Sequence, residues 1–141
     1  MTHLRNHYAW NNAHIVWLQR SKINQKVCTF SYSNHMRDLK KNSFETMVIV
    51  RNVDDDDWFI DGKSLAEWGK NSFRLEVTVV DETCSKDQKA AYQKAIYNAM
   101  EQAIGNLHPQ SNVHVIDCKA ASYGYTGITQ EYRYQHKDEF Y

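Results

Sequence analysis

The feature that most constrains this 141-residue chain is a strand, a long amphipathic helix and a second strand in direct succession. At residues 73–79, Phe73, Leu75, Val77 and Val79 alternate with Arg74, Glu76 and Thr78. That is the period of two of a strand with one buried face. Over residues 86–104 the period changes. Tyr92, Ala95, Ile96, Ala99, Met100, Ala103 and Ile104 recur at steps of three and four and make one apolar stripe on a helix. Ser85 with Gln88 three positions on reads as a capping box. Gly105 supplies a left-handed stop, and Pro109 lies just beyond. Residues 113–118 return as a short β-branched strand. A strand, a helix of this length and a returning strand close as a right-handed crossover with parallel strands.

The first half echoes this unit. Residues 46–53 are rich in Val and Ile and read as a strand, ended by the acidic loop Asp54-Asp55-Asp56-Asp57. Residues 14–18 form a candidate first strand. Residues 21–40 are ambiguous on propensity, because 27–33 are weak helix formers. Ser21-Lys22-Ile23-Asn24-Gln25-Lys26 nevertheless echoes Ser85-Lys86-Asp87-Gln88-Lys89. Trp58, Ile60 and Gly62 also match Tyr123, Tyr125 and Gly127, each 65 positions later. Landmarks in the same order at nearly constant offset favour an internal duplication and a helix over 21–40. The expected fold class is α/β (α+β). One domain holds tandem β-α-β units, residues 1–69 and 70–141, each followed by a short hairpin. They share a four-stranded sheet with two helices on one face. The other sheet face is expected to stay open and apolar, which invites oligomerisation.

Composition narrows the function. The chain carries 17 basic and 17 acidic residues, so no electrostatic argument favours nucleic acid or an anionic membrane. No apolar run approaches the roughly 20 residues needed to span a bilayer, and residues 1–10 lack the apolar stretch of a signal peptide. A cytoplasmic protein is the expectation. Cys28, Cys84 and Cys118 are odd in number and widely spaced, neither a disulfide framework nor a zinc pattern. The acidic run lacks the alternating spacing and glycine of a calcium loop. No metal or cofactor is expected.

One stretch goes further. Residues 73–83 lead into Ser85-Lys86-Asp87-Gln88-Lys89-Ala90-Ala91, then Leu107-His108-Pro109, the strand Val113-His114-Val115, and Tyr123-Gly124-Tyr125-Thr126-Gly127-Ile128-Thr129-Gln130-Glu131. This resembles the tautomerase superfamily, which includes 4-oxalocrotonate tautomerase and cis-3-chloroacrylic acid dehalogenase. The resemblance covers residues 70–134 well and residues 21–63 weakly, and it does not reach residues 1–20. It implies a homotrimer of β-α-β-β-α-β protomers and proton transfer on a small carboxylate substrate. Family enzymes use an amino-terminal proline as the base. In this sequence the only proline is Pro109, and counting back from His35 puts the family position near Tyr8. Asp81 and Cys84 stand where the dehalogenases carry carboxylate-binding arginines.

The candidate site follows. His35 matches the histidine at the end of the first helix, and Glu131 and Tyr125 complete the catalytic candidates. Arg133 is the better cation for a substrate carboxylate, with Arg74 and Tyr123 beside it as binding candidates. Trp58 and Phe59 are expected to anchor the acidic loop on the core or on a neighbouring subunit. Two functions fit: a tautomerase-like isomerase acting on a small 2-oxo or 2-hydroxy-dienoic acid, or a catalytically inactive trimer that binds small acids.

Overall fold

In the computed structural model, residues 12–19, 46–81 and 83–140 are described. Four strands make the main sheet: β1 (Asn12–Gln19), β2 (Thr46–Val53), β5 (Phe73–Val80) and β6 (Asn112–Cys118). Their spatial order is β2-β1-β5-β6. β1 runs parallel to β2, with His14 opposite Val48, and antiparallel to β5, with Val16 opposite Leu75. β5 runs parallel to β6, with Val77 opposite Val115. The parallel pair β5–β6 is joined by the long helix (Lys86–Ala103), as a crossover requires. The helix expected over residues 21–40 lies outside the described residues.

The alternation read in β5 is realised. Phe73, Leu75, Val77 and Val79 are buried against Tyr92, Ile96 and Met100 of the long helix, with Leu107 completing the cluster. Val48 and Val50 of β2 and Val113 and Val115 of β6 pack against it. Each fully buried aliphatic or aromatic side chain here is worth about 1.5–3 kcal/mol. The helix begins on its capping box: Ser85 N donates to Gln88 Oε1 at 2.8 Å, and Gln88 N donates to Ser85 Oγ at 3.2 Å. It ends at Ile104, followed by Gly105 at φ 70°. Lys89 Nζ reaches Asp117 at 2.7 Å and ties helix to β6.

The opposite sheet face departs from the apolar surface the sequence suggests. Met47 and Ile116 are exposed on it, but Arg74, Glu76 and His114 lie there too. Arg74 Nη2 donates to Glu76 Oε1 at 2.8 Å and sits 3.5 Å from His114 Nδ1. The same period of two that fills the core with Phe73, Leu75 and Val77 sends these charges to the side the helix does not cover.

Two small corners complete the chain. β3 (Phe59–Ile60) and β4 (Lys63–Ser64) form a hairpin that runs into α1 (Leu65–Trp68). β7 (Gly124–Tyr125) and β8 (Ile128–Thr129) form another that runs into a helix at Gln130–Gln135. Asp61 and Gly62 in the first turn have φ of 51° and 72°; Thr126 and Gly127 in the second have 53° and 76°. Positive φ at both central residues defines the tight turn that suits a two-residue hairpin. In each corner the first helical N–H donates back over the hairpin, Leu65 N to Trp58 O at 2.9 Å and Gln130 N to Tyr123 O at 2.8 Å. Among the described residues, no helix is long and apolar enough to cross a membrane.

Candidate functional site

The second corner brings Arg133 and Tyr125 together. Thr129 caps the helix Gln130–Gln135, its hydroxyl accepting from Tyr132 N at 3.1 Å. That start puts positions 130 and 133, three apart, on one face. Gln130 is 1% exposed and Arg133 7%. The Arg133 guanidinium lies 3.9 Å from the Tyr125 ring centroid and 4.6 Å from that of Phe140. Phe140 belongs to the last helical turn, Lys137–Phe140. Arg133 Nη2 donates to Thr126 Oγ1 at 2.8 Å and to Tyr125 O at 3.4 Å.

Among the described residues, no carboxylate pairs with Arg133. Its Nε is buried without a hydrogen-bond partner, and so is Gln130 Nε2. Stacking on two aromatic faces returns about 0.5–2 kcal/mol per contact. Burying a charge away from water costs several kcal/mol unless it is paired. Each buried, unfilled donor adds about 1–3 kcal/mol. Thr126 adds strain, since a β-branched residue at positive φ is a conformational outlier. Cost concentrated in one small corner makes that corner the candidate site.

The other candidates lie elsewhere or differently. Tyr123 is half-buried just before β7, its carbonyl engaged by Gln130 N. Glu131 is exposed in the first turn of the same helix. Arg74 lies on the sheet face away from the core and gives its guanidinium to Glu76. His35 lies outside the described residues. Phe59, expected to anchor its loop, is 62% exposed, while Trp58 is half-buried. The acidic run is a turn, with Asp57 N donating to Asp54 O at 3.0 Å. No group of three or more His, Cys, Asp or Glu side chains among the described residues could hold a metal ion. Gln130 escaped the sequence reading. Its signal was present, because a Thr at 129 starts the helix one residue before Gln130 and so aligns it with Arg133.

No family model matches the sequence, and no curated protein matches it. Solved structures do match its fold. A fused 4-OT symmetric trimer aligns at a TM-score of 0.73 with 13% identity, over 84% of this chain and 96% of that one. The structure of Pt0534 inactivated by 2-oxo-3-pentynoate aligns at 0.73 with 12% identity, again over 84% and 96%. N1, a member of the cis-3-chloroacrylic acid dehalogenase family, aligns at 0.70 with 14% identity over 92% of both chains. The chain therefore has the fold of these 4-OT and cis-3-chloroacrylic acid dehalogenase family structures.

Proposed function

We propose that this chain binds a small carboxylate at Arg133 and acts on it as a tautomerase-type isomerase of 2-oxo or 2-hydroxy-dienoic acids. The observation that carries the reading is the buried Arg133 guanidinium without a carboxylate partner among the described residues. Its charge and donors suit a planar carboxylate. In this reading Tyr125, in contact with the guanidinium, stabilises negative charge on the substrate's enolate oxygen, with Tyr123 as a further binding residue. The proton leaves the 2-hydroxyl and returns to carbon, with His35 or Glu131 as the candidate carrier and Arg74 as a second cation. The matched fold supports this reading, since one matched protein was inactivated by a 2-oxo acid and another belongs to a dehalogenase family. Trimeric matches support a homotrimer, here proposed as cytoplasmic and built from duplicated units 1–69 and 70–141.

One observation favours the second reading, an inactive small-acid binding module: Glu131, the one carboxylate on the Arg133 helix, is exposed. Enol-to-keto conversion of phenylpyruvate and 2-hydroxymuconate separates the two. The isomerase reading expects turnover that falls at least about tenfold in Arg133→Gln, the loss of one charge-assisted contact. Carboxylate binding without turnover leaves the binding module.

A further inference from the structure

The two corners are built on one backbone plan, and the side chains at matching positions differ in kind. Leu65 and Gln130 both open their helices and are both 1% exposed. Trp68 and Arg133 both follow three residues later. Trp68 Nε1 donates to Ile60 O at 2.9 Å, and Arg133 Nη2 donates to the matching carbonyl, Tyr125 O, at 3.4 Å. In the first corner the pair is a leucine and a tryptophan, and neither leaves a buried donor unfilled. In the second, the same two places hold Gln130 Nε2 and Arg133 Nε, both buried and without acceptors. The plan thus accepts apolar side chains at both places, so folding does not require the donors.

We infer that Gln130 and Arg133 together form the carboxylate subsite, with Gln130 a specificity-determining residue that takes one oxygen of the anion while Arg133 takes the other. The assignment deepens the function proposed above and rests on it for the ligand class. The two side chains share one helix face at the spacing of neighbouring residues, about 5–6 Å between Cβ atoms. In the proposed subsite the amide and guanidinium N–H groups, both buried and unfilled, each take one oxygen of the same carboxylate. One positive charge and a neutral amide match a single negative charge. Burial limits the ligand to a small acid, and Phe140 over the guanidinium must move aside to admit it.

The test is calorimetric titration of the full chain with 2-oxobutanoate and with neutral butanamide. The unaltered protein binds the acid and not the amide. Gln130→Leu, which installs the side chain of the first corner, weakens binding about ten- to a hundredfold, the loss of a hydrogen bond to a charged group, with the thermal midpoint unchanged or raised. Gln130→Glu fills the site from within; it abolishes binding and raises the midpoint. An unchanged Kd in Gln130→Leu overturns the subsite, as does failure of the unaltered chain to bind the acid. A shift of oligomeric state in Gln130→Leu by sedimentation, without loss of binding, also overturns it, because the missing acceptor is then a second copy's. Binding that depends on Gln130 without enol–keto turnover keeps the subsite and removes the isomerase. Turnover indifferent to Gln130→Leu does the reverse.

Discussion

The two hairpin–helix corners share one backbone and serve opposite ends. The first is locally well supplied. Its turn is Asp61-Gly62, residue types that accept positive φ. Its helix opens on a reciprocal capping box between Ser64 and Glu67. Leu65 is buried, and Trp68 lies against His108 at 4.9 Å between centroids with Lys63 over its ring. The second corner gives up these comforts one by one. Thr126 replaces the aspartate, Tyr132 stands where a capping box needs Glu or Gln, and Gln130 and Arg133 replace the apolar pair. The lesson is that one supersecondary unit can be a well-filled structural clasp in one place and carry buried, unfilled donors in another. The difference shows as unfilled donors and strained backbone.

Six substitutions test that contrast. Leu65→Ala removes a fully buried side chain from the clasp and should cost about 2–5 kcal/mol in urea unfolding. A cost near zero would mean that the first corner is not a structural element.

Next comes Gly124→Val. A Cβ at Gly124 would run into the Ile128 carbonyl, so the cost should be about 1–3 kcal/mol. Phe59 occupies the matching position and is exposed. Phe59→Ala should therefore change stability by less than about 0.5 kcal/mol.

Smaller effects come from the turns. Thr126→Asn relieves a β-branched residue at positive φ and should stabilise by up to about 1 kcal/mol, and Asp61→Thr should destabilise by a similar amount. Equal midpoints for both variants and the unaltered chain would remove strain from the comparison.

The smallest effect is a pH signature of the first corner alone. The backbone N–H of Ser64, then its hydroxyl, hold the Glu67 carboxyl below the ordinary glutamate value. A carboxyl whose pKa is lowered on folding adds stability above its unfolded pKa. That stability is lost as pH falls through the lowered folded value. Glu67→Gln should flatten the acid limb of a stability–pH curve in that window and lower the curve by a constant amount at higher pH. An identical acid limb in both proteins would mean that the box contributes nothing measurable.

Much of the scaffold was legible in the sequence because its signals are periodic and local. The alternation at 73–79 and the three–four spacing over 86–104 reappear as β5 and the long helix. Ser85, Gln88 and Gly105 do at the helix ends what their side chains and backbone freedom allow. The matches of Trp58, Ile60 and Gly62 with Tyr123, Tyr125 and Gly127 fall on the two hairpins, β3–β4 and β7–β8. Arg133 and Tyr125 were legible as candidates, though not their contact. Phe59 does not anchor its loop on the core of its own chain, since it is exposed there; the sequence leaves a neighbouring subunit as the other anchor. The open sheet face misled because strand parity says which residues share a face but not how charges on two strands will pair, as Arg74 and Glu76 do with His114 close by.

The sequence by itself determined β2, β5, β6, the two hairpins and the long helix with its capping box and glycine stop, because each rests on residues within one helical turn or one hairpin of each other. Tertiary structure alone decided that Arg133 is buried against Tyr125 and Phe140 without a carboxylate, and that Gln130 is buried beside it with no acceptor. Burial and the absence of a partner are properties of what surrounds a side chain in space. No local pattern encodes them, and they are what make the second corner the candidate site.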